Sequence, residues 1–388
     1  MNIYVTNICN QRCPYCYAGS MLDGASPRKR HMTFGDFKKV LRFFEKSGYG
    51  YCRFEGGEPT LHPRFSDLLD YAVGRGFRIQ LFTNGLFDRS TLACLKEHGD
   101  TVNYTWNINH PSLYKGEQWK RIQSNLKQLS KIGSSTLGVN IYRSDQKYEF
   151  IYELIRRYNI RKFRFCFAHP DEGSEGKKDI KYIRSRDLPR VLPRVVKFVK
   201  KLIKEGIDCY YDCGFLPCQW RDEDLGFLYK HGFYAGACQP CPGITVDLDV
   251  VHCFQMSNEY DKRPLSDFEN VDEIYSWIEG IFDRYRNVNF YKGCSSCSIN
   301  NMGMCTLGCI AERKIIARKY RESLEKLVRS RPTKDHIMSL AYEYLRCGDK
   351  GRARKLLNRH DVKSSLKEVL HEGDKKIIVW PATVVKIR

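Results

Sequence analysis

A chain of 388 residues is too long for one ordinary core, so two or three domains are expected. No run of eighteen apolar residues occurs, and no basic segment leads into an apolar stretch with a cleavage site, so a spanning helix and an export signal are excluded and a cytoplasmic protein is expected. Seventeen cysteines in an unexported chain point to metal-ligating thiols in a reducing, oxygen-poor compartment. The net charge of +20 suits an acidic partner, although much of it falls on helical faces such as 197–204, where basic and apolar residues alternate over a core.

Met1 to Thr6 reads as a short strand running straight into Cys9-Asn10-Gln11-Arg12-Cys13-Pro14-Tyr15-Cys16-Tyr17. Three thiolates at this spacing can turn inward on one loop and hold three irons of a [4Fe–4S] cube, leaving the fourth iron without a protein ligand. Zinc prefers four ligands in paired CxxC form, and packing alone gives cysteines no reason to crowd one loop. Residues 19–31 are polar and basic and are expected to connect over the top of this loop. Thr33, with Asp36 three residues on, makes an N-cap for a helix closing near Gly48. Tyr51 to Glu55 is a strand ending in Gly56-Gly57-Glu58-Pro59, where glycines let the backbone approach a ligand and a carboxylate can receive an ammonium group.

The pattern continues with a helix around Leu68 to Val73, strand 77–82 ending in Thr83-Asn84-Gly85, and helix 89–97. Strand 102–108, helix 116–131, strand 136–142, helix 146–158, strand 162–167 and helix 188–204 follow. Six strand-helix units predict an α/β fold: a parallel sheet curled into a partial (β/α)6 TIM-like barrel over residues 1–207, with its site at the strands' C-terminal ends. Asn107, Asn109 and His110 end the fourth strand, and Asn140 lies near the exit of the fifth. From Asp208 the alternation is expected to stop. Cys209, Cys213, Cys218, Cys238, Cys241, Cys253, Cys294, Cys297, Cys305 and Cys309 accumulate in a cysteine-rich segment, 208–312. Leu248 to Cys253 reads as a short hairpin strand running into a ligand, with Asp247 and Asp249 as turn formers. Residues 313–388 read as a small helical segment: a basic helix to Val328, a helical hairpin around Gly348-Asp349, and a closing strand or tail.

The CxxxCxxC loop followed by Gly56-Gly57-Glu58-Pro59 and Thr83-Asn84-Gly85 resembles the radical S-adenosylmethionine (SAM) superfamily. That resemblance implies a SAM-binding catalytic [4Fe–4S] cluster on Cys9, Cys13 and Cys16, with reductive cleavage of SAM to a 5′-deoxyadenosyl radical that abstracts hydrogen from substrate. It places Tyr15, Gly56, Gly57, Glu58 and Pro59 around SAM. Asn107-Ile108-Asn109-His110-Pro111 resembles the family's Ser-Leu-Asp-Gly-Pro, with Asn107 and Asn109 at the serine and aspartate positions, and Asn140 is carried with them as a SAM contact. The later cysteines resemble the SPASM extension of peptide-modifying members, with seven residues rather than five in the middle gap of Cys294-x2-Cys297-x7-Cys305-x3-Cys309. The likeness implies one auxiliary cluster on Cys238, Cys241, Cys253 and Cys309 and a second on Cys294, Cys297, Cys305 and one more. Cys213, Cys218 and Cys347 remain open for that last place, and structural zinc is the alternative for the array.

The expected activity is therefore hydrogen abstraction from a peptide or protein side chain, an oxidoreductase-type peptide maturation fed by an external flavodoxin- or ferredoxin-like donor. The alternatives are dehydrogenation of a small alcohol or sugar and a basic RNA-modifying iron-sulfur protein. No single-strand-binding module with aromatic platforms is seen, so no nucleic-acid partner is expected, and no membrane. The cluster loop begins at residue 9, without a leader-binding domain before it, so a separate protein is expected to present any precursor.

Overall fold

The computed structural model describes residues 1–16, 30–169, 182–213, 216–231, 238, 241–253, 256, 262–285, 288–302, 305, 308–374, 376–379 and 383–386. The connection expected over the cluster loop falls largely on residues 17–29, outside the described residues.

The expected alternation is present. Strands β1 (Asn2–Thr6), β2 (Tyr51–Gly56), β3 (Arg78–Thr83), β4 (Val102–Asn107), β5 (Ser135–Ile141) and β6 (Lys162–Phe167) pair in sequence order, all parallel. Helices α1 (Phe34–Lys46), α2 (Phe65–Gly74), α3 (Arg89–Glu97), α4 (Gln118–Leu129) and α5 (Phe150–Tyr158) connect them. All five residues of β1 are buried, as a parallel strand covered on both faces requires. Thr33 caps α1 as its sequence indicates, its hydroxyl accepting from the Asp36 N–H at 3.0 Å. Helix α5 starts later than its pattern suggests because Gln146 is used otherwise. Its side-chain oxygen accepts from Tyr142 N–H at 2.9 Å and its amide donates to the Asn140 carbonyl at 2.8 Å, clamping the exit of β5.

The sheet also runs beyond the expected six strands. After α6 (Leu192–Lys204), β7 (Asp208–Asp212) joins β6 in parallel, with Lys162 opposite Asp208. Helix α7 (Asp222–Lys230) follows, and the chain then crosses to the other edge of the sheet. There β8 (Gly243–Ile244) pairs parallel with β1, and β9 (Asp249–Val251) and β10 (Lys262–Pro264) continue antiparallel. The result is one ten-stranded sheet in the order β10-β9-β8-β1-β2-β3-β4-β5-β6-β7, open between its two edges. Gly243 makes the β1–β8 pairing possible, since a β-carbon there would lie 2.4 Å from the Tyr4 ring. The first part of the cysteine-rich segment thus flanks both edges of the sheet. The short hairpin strand expected over 248–253 is β9, whereas β7, β8 and β10 are too short for periodicity to reveal them.

Helix α8 (Val271–Asp283) packs on the main core through Val271, Ile274 and Ile278. The C-terminal part has its own core. Strand β11 (Val288–Asn289) and the short helix α9 (Ser298–Asn301) lead into α10 (Ile310–Ser330). Ile316, Tyr320 and Leu324 of α10 pack with Leu340 and Ala341 of α11 (Lys334–Arg346) and Leu357 of α12 (Lys350–Arg359). After α13 (Leu366–Asp374), β12 (Lys376–Val379) and β13 (Thr383–Lys386) form a hairpin whose first strand pairs with β11. Among the described residues no helix is long and apolar enough to cross a membrane.

Candidate active site

The exits of β1, β2, β3, β4 and β5 meet at the cluster loop. Its backbone is braced from β2: Gly57 N–H donates to Thr6 O and Glu58 N–H to Ile8 O, each at 2.8 Å. This approach demands glycine twice. A β-carbon on Gly56 or on Gly57 would lie 2.2 Å from Thr6 O or Ile8 O respectively, and Gly56 also holds a φ of +135°.

Two sulfurs of the loop receive N–H donors. Gln11 N–H points to Cys9 Sγ at 3.4 Å, and Asn109 Nδ2 to Cys13 Sγ at 3.2 Å. Asn109 is itself held, its Oδ1 accepting from Tyr15 Oη at 2.7 Å and its N–H donating to Tyr114 Oη at 2.8 Å. The Tyr15 ring lies 5.1 Å from that of Tyr142, tilted by 31°. Asn84 donates to Asn10 Oδ1 at 2.8 Å, and Asn10 donates to Leu86 O at 3.0 Å, tying the loop to the exit of β3. Burial pushes the Cys9 thiol up to about 12, against the Gln11 N–H that lowers it, with the Glu58 charge adding to the rise. Burial also raises Cys13. Such thiols hold their protons until a metal displaces them. None of the 17 cysteines is in a disulfide.

Glu58, expected at the SAM position, is held by the protein itself. Its carboxylate is 1 % exposed and faces protein donors: Thr60 Oγ1 at 2.7 Å, Thr83 Oγ1 at 2.8 Å and Asn84 N–H at 2.7 Å. In this arrangement it holds the 56–59 turn against the exit of β3. Burial raises its pKa, opposed by these donors. Replacing Glu58 with alanine leaves three buried donors without an acceptor, so Glu58→Ala is expected to cost about 3 kcal/mol, measured by urea unfolding.

The amides predicted at strand ends divide. Asn109 sits at Cys13, and Asn140 accepts from Cys166 Sγ at 2.6 Å while its side chain also bonds Tyr15. Asn107 instead accepts from Arg164 at 3.1 Å, and Arg164 pairs with Asp212, within the β4, β6 and β7 part of the sheet. Pro59 is buried, opening the short turn after Glu58. Arg164, Thr60 and Tyr114 escaped sequence reasoning, and among the residues bracing the loop Asn84 carried a signal through its Thr-Asn-Gly turn.

The later cysteines gather in groups. Burial and the neighbouring Cys238, Cys309 and Cys241 push the Cys253 thiol well up, and burial with Cys238 raises Cys309. Cys241 accepts from Asn2 Nδ2 at 3.3 Å and from Arg53 Nη1 at 3.6 Å, at the N-terminal end of β1. The five residues of β1, at about 3.3 Å each, put roughly 16 Å between Cys241 and the cluster loop. Cys294 and Cys297 bracket a turn and interact, and Cys305 is buried with Cys309 in the C-terminal core. Among the described residues, no three cysteines bring their sulfurs within 4.8 Å of one another; Asp70, Cys94 and His98 are the one trio of potential ligands at that spacing. Tetrahedral zinc with bonds of about 2.3 Å would hold its sulfurs about 3.8 Å apart. A cubane spaces them more widely, since each sulfur binds a different iron. The donor sets are all thiols, the ligand chemistry that iron-sulfur clusters take.

The sequence profile of the Radical SAM superfamily matches residues 3–155, the stretch that holds the three-cysteine loop and every strand exit that braces it. Residues 3–155 are a radical SAM domain. Members of this superfamily work with a [4Fe–4S] cluster and SAM. Two curated relatives are a probable GTP 3′,8-cyclase of Methanothermobacter thermautotrophicus and a SAM-dependent nucleotide dehydratase of Selenomonas ruminantium. The first is 26% identical over 147 residues, 36% of this chain and 47% of that protein. The second is 33% identical over 86 residues, 22% and 29% respectively. The matches thus span less than half the length of these relatives. Among solved structures, Streptococcus suis SuiB bound to SAM superposes with a TM-score of 0.57 at 17% identity, over 80% of this chain and 72% of that one. A structure of anSMEcpe with bound AdoMet gives 0.56 at 15% identity, over 95% and 97%. Further structures hold SuiB bound to precursor peptide SuiA and anSMEcpe with bound AdoMet and the Kp18Cys peptide. The likeness in fold therefore extends past the radical SAM domain into the cysteine-rich region.

Proposed function

We propose that this radical SAM enzyme abstracts hydrogen from a side chain of a peptide or protein. The observation that carries the proposal is the pairing of the three-cysteine loop with two further cysteine groups, on a fold shared with proteins solved with bound peptides. Cys9, Cys13 and Cys16 would hold the catalytic cluster, which, when bound with SAM, supplies the radical. Tyr15, Gly56, Gly57, Glu58, Pro59, Asn107, Asn109 and Asn140 are the proposed SAM-binding set, in which the Glu58 carboxylate also fixes the turn that carries the glycines and Asn107 is bonded to Arg164. Asn109 orients Cys13 and keeps an N–H donor on its sulfur, a contact that tunes a cluster's potential. Cys238, Cys241, Cys253 and Cys309 would hold one auxiliary cluster, and Cys294, Cys297 and Cys305 part of another. The proposed parts are 1–207 for the radical unit, 208–312 for the auxiliary unit and 313–388 for the C-terminal helices.

Anaerobic, reduced protein is expected to form 5′-deoxyadenosine from SAM. Deuterium from a labelled peptide should enter that product, whereas label from a nucleotide or a small alcohol should not. Transfer from a nucleotide alone would replace the peptide proposal with the substrate class of the curated relatives. The net charge of +20 suits a small acidic electron donor in a cytoplasmic setting. Raising salt from about 50 to 500 mM is expected to slow turnover driven by flavodoxin at least about tenfold and to leave dithionite-driven turnover nearly unchanged, because the Debye length shrinks several-fold.

A further inference from the structure

The group Cys294, Cys297 and Cys305 is one thiol short of a closed cubane. Cys347 follows α11 as its capping residue, and its sulfur accepts from Arg321 Nη1 at 2.6 Å. The charges that reach it belong to Arg321, Glu343, Arg346 and Lys314, with no cysteine among them. Cys213 stands with the other group, near Cys166, Cys309 and Cys238. Cys218 is different. It is the middle residue of the Pro217–Gln219 turn, and both flanks of that turn are pinned to the Cys294 region. On one side Gln219 Nε2 donates to Tyr291 Oη at 3.2 Å, and the Tyr291 carbonyl accepts from Cys294 N–H at 3.1 Å. On the other, Leu216 packs so closely on Gly308 that a β-carbon there would meet its methyl at 3.3 Å, with Phe290 at 3.4 Å. Gly308 holds a φ of +66° between Cys305 and Cys309. Besides burial, the influences that raise the Cys218 thiol are Cys294, Cys305 and Cys297.

We infer that Cys218, carried by the turn after β7, is the fourth ligand of the Cys294, Cys297 and Cys305 set. The inference rests on the proposal that this set holds an iron-sulfur cube. The missing sulfur comes from the sheet side of the sequence rather than from the C-terminal helices. The cluster thereby staples the segment after the last parallel strand to the C-terminal core. Four sulfurs on four irons leave no position for substrate, so this cluster carries electrons. Cys218 is exposed while Cys294 and Cys305 are buried, which turns one edge of the cube toward solvent and an external donor.

The test uses the full chain, reconstituted anaerobically with iron and sulfide, and counts both per chain alongside Mössbauer spectra. Cys218→Ala and Cys294→Ala are each expected to lose one cube, about four irons, while Cys347→Ala keeps the full count. The spectrum of the catalytic cluster, retained in every variant, separates loss of one cube from failure to fold. Iron lost in Cys294→Ala and kept in Cys218→Ala overturns the ligand assignment alone, as does loss in Cys347→Ala in place of Cys218→Ala. Iron kept in both Cys218→Ala and Cys294→Ala overturns the second cluster, and the assignment with it.

Discussion

Cys13→Ala is expected to lower the iron content by about four atoms per chain and to abolish 5′-deoxyadenosine formation, a loss of at least about 10⁴-fold. Cys13 is the middle cysteine of the proposed ligand loop, and its sulfur has a donor in Asn109 at 3.2 Å. Removing it leaves two sulfurs, too few to hold the cube at one open corner. The auxiliary irons should remain, so the count falls by one cube rather than to zero. Iron analysis and anaerobic chromatography of the SAM products make the measurement. Unchanged iron together with unchanged SAM cleavage would sink the assignment of the loop.

Gly57→Ala has the next largest expected effect. A β-carbon at this position would lie 2.2 Å from Ile8 O and 2.5 Å from Ile8 C, both backbone atoms that cannot swing aside. The clash forces the exit of β2 away from the start of the cluster loop, breaking the Gly57 to Thr6 and Glu58 to Ile8 bonds. Overpacking of this kind costs about 3 kcal/mol, and a misplacement of about 1 Å at a reacting centre costs on the order of 100-fold in rate. Gly74→Ala is the control: nothing lies within 4 Å of a β-carbon there, and in the last turn of α2 alanine should be neutral to stabilising by up to about 1 kcal/mol. Urea melts should therefore shift down for Gly57→Ala and stay level or rise for Gly74→Ala, while the SAM-cleavage rate falls in Gly57→Ala alone.

Much of this site was legible along the chain because its chemistry is local. Cys9, Cys13 and Cys16 fall within eight residues, so their spacing alone defines a loop that can present three sulfurs. Glycines 56 and 57 could be read as a close backbone approach, although only packing shows that Thr6 and Ile8 are what approaches. The role of Glu58 was not legible in the same way. Its acceptors are satisfied by Thr83 and Asn84, 25 and 26 residues away, and nothing in a Gly-Gly-Glu-Pro turn announces those donors. The three asparagines could be placed at strand ends by counting. Which of them faces Cys13 and which faces Arg164 depends on the exit angle of each strand.

The six parallel strands and their helices were determined by the sequence itself, because hydrophobic period and capping residues act over a few positions and need no distant partner. So was the capacity to hold a three-sulfur cluster. The seventh strand, β8, β10 and the edge that β9 joins were decided only in three dimensions, since strands of two to five residues gain their stability from the edge they join rather than from their own pattern. The grouping of the later cysteines was decided there too. Cys238 and Cys309 lie far apart along the chain, and a thiol carries no mark of which distant sulfur it will meet until burial and the crossing from one sheet edge to the other bring them together.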